Sequence, residues 1–233
     1  MKLAIMQPYL FPYVGYFQLL AGVDKFVFYD DVNFIKRGWI NRNRLLLSGG
    51  VHYITIPLSG ASAFLKINQI DVQQSDKWRR KILTSVRHSY SKAPNFNVVY
   101  DLFSKVLLSD ESRISELAKQ SIIAVSKYLG LETQFVMSSS IYGNSDLNGV
   151  DRILDICQKE KASQYYNLPG GREFYDGKIF EKNGVLLHFT NPRLNTYKQF
   201  SEEFYPGLSI VDVLMFNSPE EVSNYLLKFE LIK

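Results

Sequence analysis

The sequence predicts an α/β protein built on a mostly parallel sheet with a helical insertion. Three observations lead there. Short apolar runs at residues 3–6, 26–29, 134–137, 164–166 and 185–189 recur with helical patterns and loops between them, and strands that alternate with helices assemble into parallel sheets. Three consecutive helical patterns, within residues 76–129, interrupt that rhythm without a strand between them. Polar residues cluster just after the apolar runs, where ligands bind in open α/β sheets. At 233 residues the chain suits one α/β domain, 1–233, with 76–129 as a helical lobe inserted in it.

In chain order, residues 3–6 and 26–29 read as buried parallel strands flanking a proline-punctuated loop and a short amphipathic helix over 13–21. Residues 44–47 and 52–58 flank Ser48-Gly49-Gly50, a hairpin signal because glycine supplies the positive φ such turns need. A short strand is expected over 67–72. Ser75 is placed to cap a helix over 76–89, with Trp78, Ile82, Val86 and Tyr90 at helical spacing. Helices follow over 96–107 and 111–129, the latter closed by Gly130. Then come a strand at 134–137, a helix over 149–161, a strand at 164–166, a helix over 175–183 and a strand at 185–189. Short helices over 210–216 and 219–229 end the chain, the last with Ser218 as cap and Pro219 at its first position.

Composition narrows the function classes. The chain is 46% hydrophobic and 21% charged, enough to build an ordinary globular core. Its 27 basic residues are scattered and the net charge is only +4, so no basic stripe argues for nucleic acid, whereas an anionic small molecule fits. Cys157 stands alone in an apolar stretch, which precludes an internal disulfide, suits a reducing cytosol and reads as structural. No run approaches the roughly 20 apolar residues of a membrane span, so a cytoplasmic protein is expected. No pair of histidines, and no Cys–His pair, has metal-ligand spacing, and no metal is expected.

Four clusters carry candidate chemistry. The first is the loop Gln7–Gly15, stiffened by Pro8 and Pro12. Gly15 permits close approach at a helix start, where free N–H groups attract phosphate; Gln7, Tyr9, Phe11, Gly15 and Tyr16 are its candidate ligand contacts. The second is Asp30-Asp31-Val32-Asn33-Phe34 with Lys36, Arg37, Trp39, Asn41, Arg42, Asn43 and Arg44. Adjacent acids point different ways along a strand. One is expected at the cleft, where a carboxylate can bind an amine or a metal or act as a base, the other to cap or pair with an arginine. The arginines suit phosphate or carboxylate, and Trp39 offers a stacking face. The third is Arg79, Arg80, Arg87 and His88, with His88 the best placed acid/base of the three histidines. The fourth is the turn after residues 164–166, where Tyr166, Asn167 and Arg172 flank Gly170-Gly171.

The run IMQPYLFPYVGYFQLL, with DKFVFYDDVNFIKRGWINRNR after it, resembles the opening of the WbqC-like family, bacterial proteins encoded with genes for O-antigen and other surface polysaccharides. The resemblance continues, more thinly, to the C-terminus. On it, Asp30, Asp31, Trp39, Asn41 and Arg42 are carried over as site residues. By position the opening also resembles the strand–loop–helix entrance of nucleotidylyltransferases, implying a Rossmann-like, nucleotidylyltransferase-like sheet. There, however, Pro12-Tyr13-Val14-Gly15-Tyr16 carries tyrosines where a His-x-Gly-His element has histidines. The family resemblance implies a role in lipopolysaccharide and O-antigen assembly; because many such glycans carry acylated amino sugars, the most economical chemistry is a transferase adding an N-acyl or N-aminoacyl group to the amine of a nucleotide-linked amino sugar. In that scheme Arg37, Arg42 and Arg44 hold phosphates, Asp30 or Asp31 deprotonates the ammonium and His88 is a second base. The donor is an acyl thioester, an adenylate made from ATP, or a charged carrier. Nucleotidyl transfer or ATP-dependent ligation, and a non-catalytic nucleotide-sugar binding protein, are the alternatives.

Overall fold

The computed structural model describes residues 1–232. The chain opens with β1 (Lys2–Met6), α1 (Val14–Ala21) and β2 (Lys25–Phe28), followed by the hairpin β3 (Arg42–Leu47) and β4 (Gly50–Thr55) and the short pair β5 (Leu58–Ser59) and β6 (Asp71–Val72). Three helices come next, α2 (Asp76–Tyr90), α3 (Phe96–Leu107) and α4 (Ile114–Tyr128). Then β7 (Gln134–Val136), α5 (Gly149–Lys159), β8 (Gln164–Asn167), α6 (Gly177–Lys182) and β9 (Leu186–Asn191) alternate. The chain finishes with α7 (Ile210–Phe216), α8 (Pro219–Leu226) and β10 (Glu230–Ile232). No helix among the described residues is long and apolar enough to cross a membrane.

Six strands form the central sheet in the order β10-β9-β8-β1-β2-β7, parallel throughout except for the β10 edge. β1 lies between β2 and β8, with Ala4 opposite both Phe26 and Tyr166. The chain therefore grows one way from β1 through β2 to β7, then returns to the other flank of β1 for β8 and β9. The strand order reverses between β1 and β8, and the loops leaving their carboxyl ends diverge there to open a crevice.

Both faces of the sheet are covered, which explains why its strands read as unbroken apolar runs. Leu3, Ile5, Val27 and Tyr165 pack on Ile153 and Cys157 of α5 and Phe180 of α6. Ala4, Phe26, Phe28 and Tyr166 belong to a larger cluster that takes in Phe17 and Leu20 of α1 and extends to Phe103 of α3 and Leu117 of α4. Helices α2, α3 and α4 thus share an apolar cluster with the sheet.

The caps foreseen in the sequence are formed. Ser75 Oγ accepts from the Lys77 N–H, Ser218 and Glu221 form a reciprocal capping box, and Gly130 leaves α4 at φ +69°. Three elements differ from expectation. Residues 67–72 are a 3-10 turn, Ile67–Gln69, followed by only two strand residues, because the Gln69 side chain turns back to accept from the Lys66 N–H. The fourth helix begins at Ile114 rather than 111, since Ser112 accepts from Val72 N–H and Ile70 accepts from Ile114 N–H, leaving the preceding residues laid along β6. The last helix stops at Leu226, and three residues too short to show a pattern form the antiparallel edge β10.

Candidate functional site

The loop from β1 to α1 is clasped from four directions. Asn43 of β3 donates to the carbonyls of Leu10 and Phe11 at 2.9 and 2.7 Å. Ser209, capping α7, donates to the Phe11 carbonyl at 2.7 Å, and Ser121 of α4 accepts from the Phe11 N–H at 2.8 Å. The Leu10 N–H donates to the Trp39 carbonyl. These bonds hold Phe11 at φ +40°, a region that costs a bulky side chain free energy and persists only where the surroundings dictate it.

The stiffness expected of the loop is therefore present, but three of its residues have other work than ligand contact. The Phe11 ring is buried 4.9 Å from that of Phe103. Tyr16 is equally buried and its hydroxyl donates to the Gln7 carbonyl. A Cβ on Gly15 would stand 2.4 Å from the Tyr13 ring, so this glycine makes room for Tyr13 to lie across the start of α1, where the sequence suggested exposed phosphate-binding N–H groups.

Above the β1/β8 reversal lies a cleft of about 780 Å³. Gln7, Tyr9 and Tyr13 of the clasped loop form one side, and Tyr29, just beyond β2, adds another ring. Ile35, Trp39 and Arg44 close it from the hairpin side, and Asn167, Leu168, Pro169, Gly170 and Gly171 face them from the β8 turn. Phe174, Tyr175, Pro192, Leu194 and Gly207 complete the wall. Among the described residues, six aromatic side chains line this space against one charged side chain, Arg44, whose Cζ lies 5.7 Å from the Trp39 ring. Burial raises the pKa of Tyr9, burial and the neighbouring Tyr9 push Tyr13 up to about 12, and burial outweighs Arg152 to raise Tyr29. At neutral pH these phenols are uncharged hydrogen-bond groups set in an apolar wall.

Of the residues singled out from sequence, the cleft brings together Gln7, Tyr9, Trp39 and Asn167. Asn167 is fixed by its bonds to the Tyr165 hydroxyl and the Leu168 N–H, and Gly171 is needed because a Cβ there would sit 2.8 Å from Asn167 Nδ2. Asn43 and Arg44 also reach the lining.

Asp30 and Asp31 do not line the cleft. Both are buried, and each is held by a buried cation. Lys119 of α4 meets Asp30 Oδ2 at 2.7 Å while Ser138 donates to Oδ1 at 2.6 Å. Arg152 of α5 meets Asp31 Oδ2 at 2.5 Å and Ser139 donates to its other oxygen. The expectation that one acid pairs with an arginine is met by Asp31. The other acid, expected to face the cleft, is buried outside its lining and ties the end of β2 to α4. Lys119 and Ser138–Ser139 are the partners the sequence hid, separated by about a hundred residues and carrying no pattern.

The other expected contacts are also placed elsewhere. His88 is exposed on α2. Lys36 and Arg37 are exposed and outside the lining. Arg42 donates to the carbonyls of Gly38 and Arg37 and stacks over Tyr53 at 4.5 Å, and Asn41 donates to the Ile56 carbonyl, so both shape the 37–42 turn. Tyr166 is buried in the apolar cluster beneath α1 and is not among the cleft lining, and Arg172 lines a separate, charged depression of about 420 Å³ with Asp176, Lys178 and Glu181. Among the lining residues the sequence missed are Tyr13, Tyr29, Ile35, Phe174, Tyr175, Pro192, Leu194 and Gly207. Tyr29 is the last residue of a predicted strand and was findable from that position; Leu194 and Gly207 lie in an irregular segment that carries no periodicity.

Comparison with known proteins adds two findings. A model of the WbqC-like protein family matches residues 7–224. The chain is 32% identical over 228 residues to an uncharacterized protein of Mycobacterium tuberculosis, Rv1507c, with 97% of each chain covered. No solved structure matches it significantly.

Proposed function

The chain belongs to the WbqC-like family, and from that premise we propose that it takes a nucleotide-linked amino sugar into its cleft during the cytoplasmic assembly of O-antigen or a related surface glycan. The observation that carries the reading is the aromatic-walled cleft with a lone arginine at the point where the strand order reverses. Aromatic faces suit a base and the apolar face of a sugar, and an arginine suits a phosphate. Numbered by chain order, the five parallel strands run 3-2-1-4-5, the order of Rossmann-like sheets that bind nucleotides at this position. That supports the nucleotide half of the ligand.

The reaction in this proposal is N-acyl or N-aminoacyl transfer to the sugar amine, with a thioester or an ATP-activated acid as donor. An amine attacks only when neutral. The cleft offers no carboxylate or imidazole among its described lining, so the protein's part is to bind, orient and desolvate: apolar walls lower the pKa of an ammonium and favour its nucleophilic form. Nucleotidyl transfer draws support from the strand order alone. Tyr13 and Tyr16 occupy the imidazole positions that such chemistry uses, and Tyr16 is buried with its hydroxyl engaged.

Thermal-shift titration with nucleotides, nucleotide-linked amino sugars and the free sugars tests the binding step. A ligand at a hundredfold its Kd stabilises by about 2.7 kcal/mol, or roughly 5–11 °C for a chain of this size. Trp39→Ala should abolish the shift. If no nucleotide-containing ligand stabilises the protein, the reading is wrong. Mass spectrometry of the sugar after incubation with acyl donors then separates a transferase from a binding protein.

A further inference from the structure

Arg44 stands in the cleft without a carboxylate. Among the described residues the two fully buried guanidinium groups are accounted for: Arg152 by Asp31, and Arg79 by the carbonyl of Leu107 at the end of α3, where a cation is favoured. Arg44 makes one side-chain hydrogen bond, from Nη2 to the Gly207 carbonyl at 3.1 Å. Its Nε is buried with nothing to accept its hydrogen. A partly buried charge with an orphaned donor is costly unless something absent from the chain completes it.

We infer that Arg44 is the receptor for one oxyanion of the ligand, a phosphate or a carboxylate oxygen, and that it does this without Arg37 or Arg42. The backbone holds it ready: the Ser209 N–H donates to the Arg44 carbonyl, and Gly207, at φ +67°, presents its carbonyl to Nη2. Trp39 flanks the guanidinium, so a group bound there sits beside an aromatic wall. With one cation inside, the cleft neutralises one negative charge. A ligand with two adjacent phosphates therefore buries one and leaves the other nearer solvent. This deepens the nucleotide reading and rests on it for the identity of the ligand, but not for the anion itself.

The test uses Trp78→Phe protein, in which Trp39 is the one remaining tryptophan. Its emission is followed during titration with inorganic phosphate, pyrophosphate and acetate, and calorimetry compares uridine with UMP and UDP, and adenosine with AMP and ADP. Phosphate or acetate should perturb Trp39 emission, which identifies the preferred oxyanion. Affinity should rise about tenfold or more from nucleoside to monophosphate and little further to diphosphate. Arg44→Gln and Arg44→Lys, each checked for an unchanged unfolding midpoint, should remove the anion response and the monophosphate gain, Lys in part because it lacks the fork. Arg37→Gln should retain both. An anion response through Arg44 with no nucleoside binding keeps Arg44 as receptor and overturns the nucleotide reading. Nucleosides that bind as tightly as their phosphates, with Arg44→Gln indifferent, overturn the receptor and leave that reading standing.

Discussion

Lys119→Met separates a structural role for Asp30 from a catalytic one. The wild-type ion pair is closed on all sides: Lys119 is 2% exposed, Asp30 1%, the contact is 2.7 Å, and Ser138 satisfies the second carboxylate oxygen. Removing the ammonium strands a buried carboxylate with a single hydroxyl. Breaking a buried pair in this way costs about 3–5 kcal/mol, and at 2–4 °C per kcal/mol for a chain of this length the expected loss is roughly 6–20 °C in Tm. Asp30→Asn alone should cost less, because Lys119 keeps Glu116 at 2.7 Å as a partially exposed partner. Combining Asp30→Asn with Lys119→Met removes both charges and should recover most of the stability, since only the unpaired charge was expensive. Differential scanning fluorimetry and urea midpoints on the three variants measure this. The reasoning is refuted if Lys119→Met melts within about 1 °C of wild type, or if Asp30→Asn abolishes glycan modification in cells while its melting and ligand-induced shift are unchanged.

Three further outcomes follow from the structure. Gly15→Ala forces a methyl into the Tyr13 ring at 2.4 Å; displacing that ring should cost about 1–3 kcal/mol and weaken ligand binding, and Tyr13→Ala in the same chain should restore the stability but not the binding. Burial pushes the Cys157 thiol up to about 12, so a thiol reagent at pH 8 should label the folded protein only at the rate of global opening, a prediction undone by stoichiometric labelling within seconds. Asp212 is buried and its pKa is raised above the ordinary 3.8 by that burial, despite donors from Tyr197, Tyr90 and Gln199. A raised acid contributes stability that is full below 3.8 and lost as pH climbs through the folded value. Wild type should therefore gain on Asp212→Asn as pH falls from 7 towards 4, and parallel urea midpoints across that range would show the argument to be wrong.

The framework was legible because its strands are buried on both faces and its helices carry period and caps. Ser75, Ser218 and Gly130 mark ends that propensity alone would blur, and all three act as read. The cleft was legible only in outline. Position after β1 and β8 located it, because that depends on sheet order, and Gln7, Tyr9 and Asn167 accordingly line it, while Trp39 reaches it from the segment before β3. The direction of each side chain does not follow from position. Asp30 and Asp31 look catalytic as adjacent acids at a strand end, yet their buried partners, Lys119 and Arg152, come from helices about 90 and 120 residues away. The same holds for the basic run: Arg42 and Arg44 are two residues apart on β3, but Arg42 turns to the carbonyls of its own loop and Arg44 to the cleft.

The clasp on Phe11 explains why such distant parts are joined. Its bonds come from β3, α4 and the start of α7, and the same β3 residue pair, Asn43 and Arg44, supplies both the clasp and the charge in the cleft. A change that frees the clasp removes the bonds that hold Phe11 at φ +40° and that tie the loop bearing Tyr9 and Tyr13 to the strand bearing Arg44. The strain at Phe11 is thus held by the same contacts that set the spacing between the aromatic wall and the single cation. A ligand that needs both fixed gains affinity from a loop it meets already ordered, because the ordering entropy was spent in folding rather than at binding.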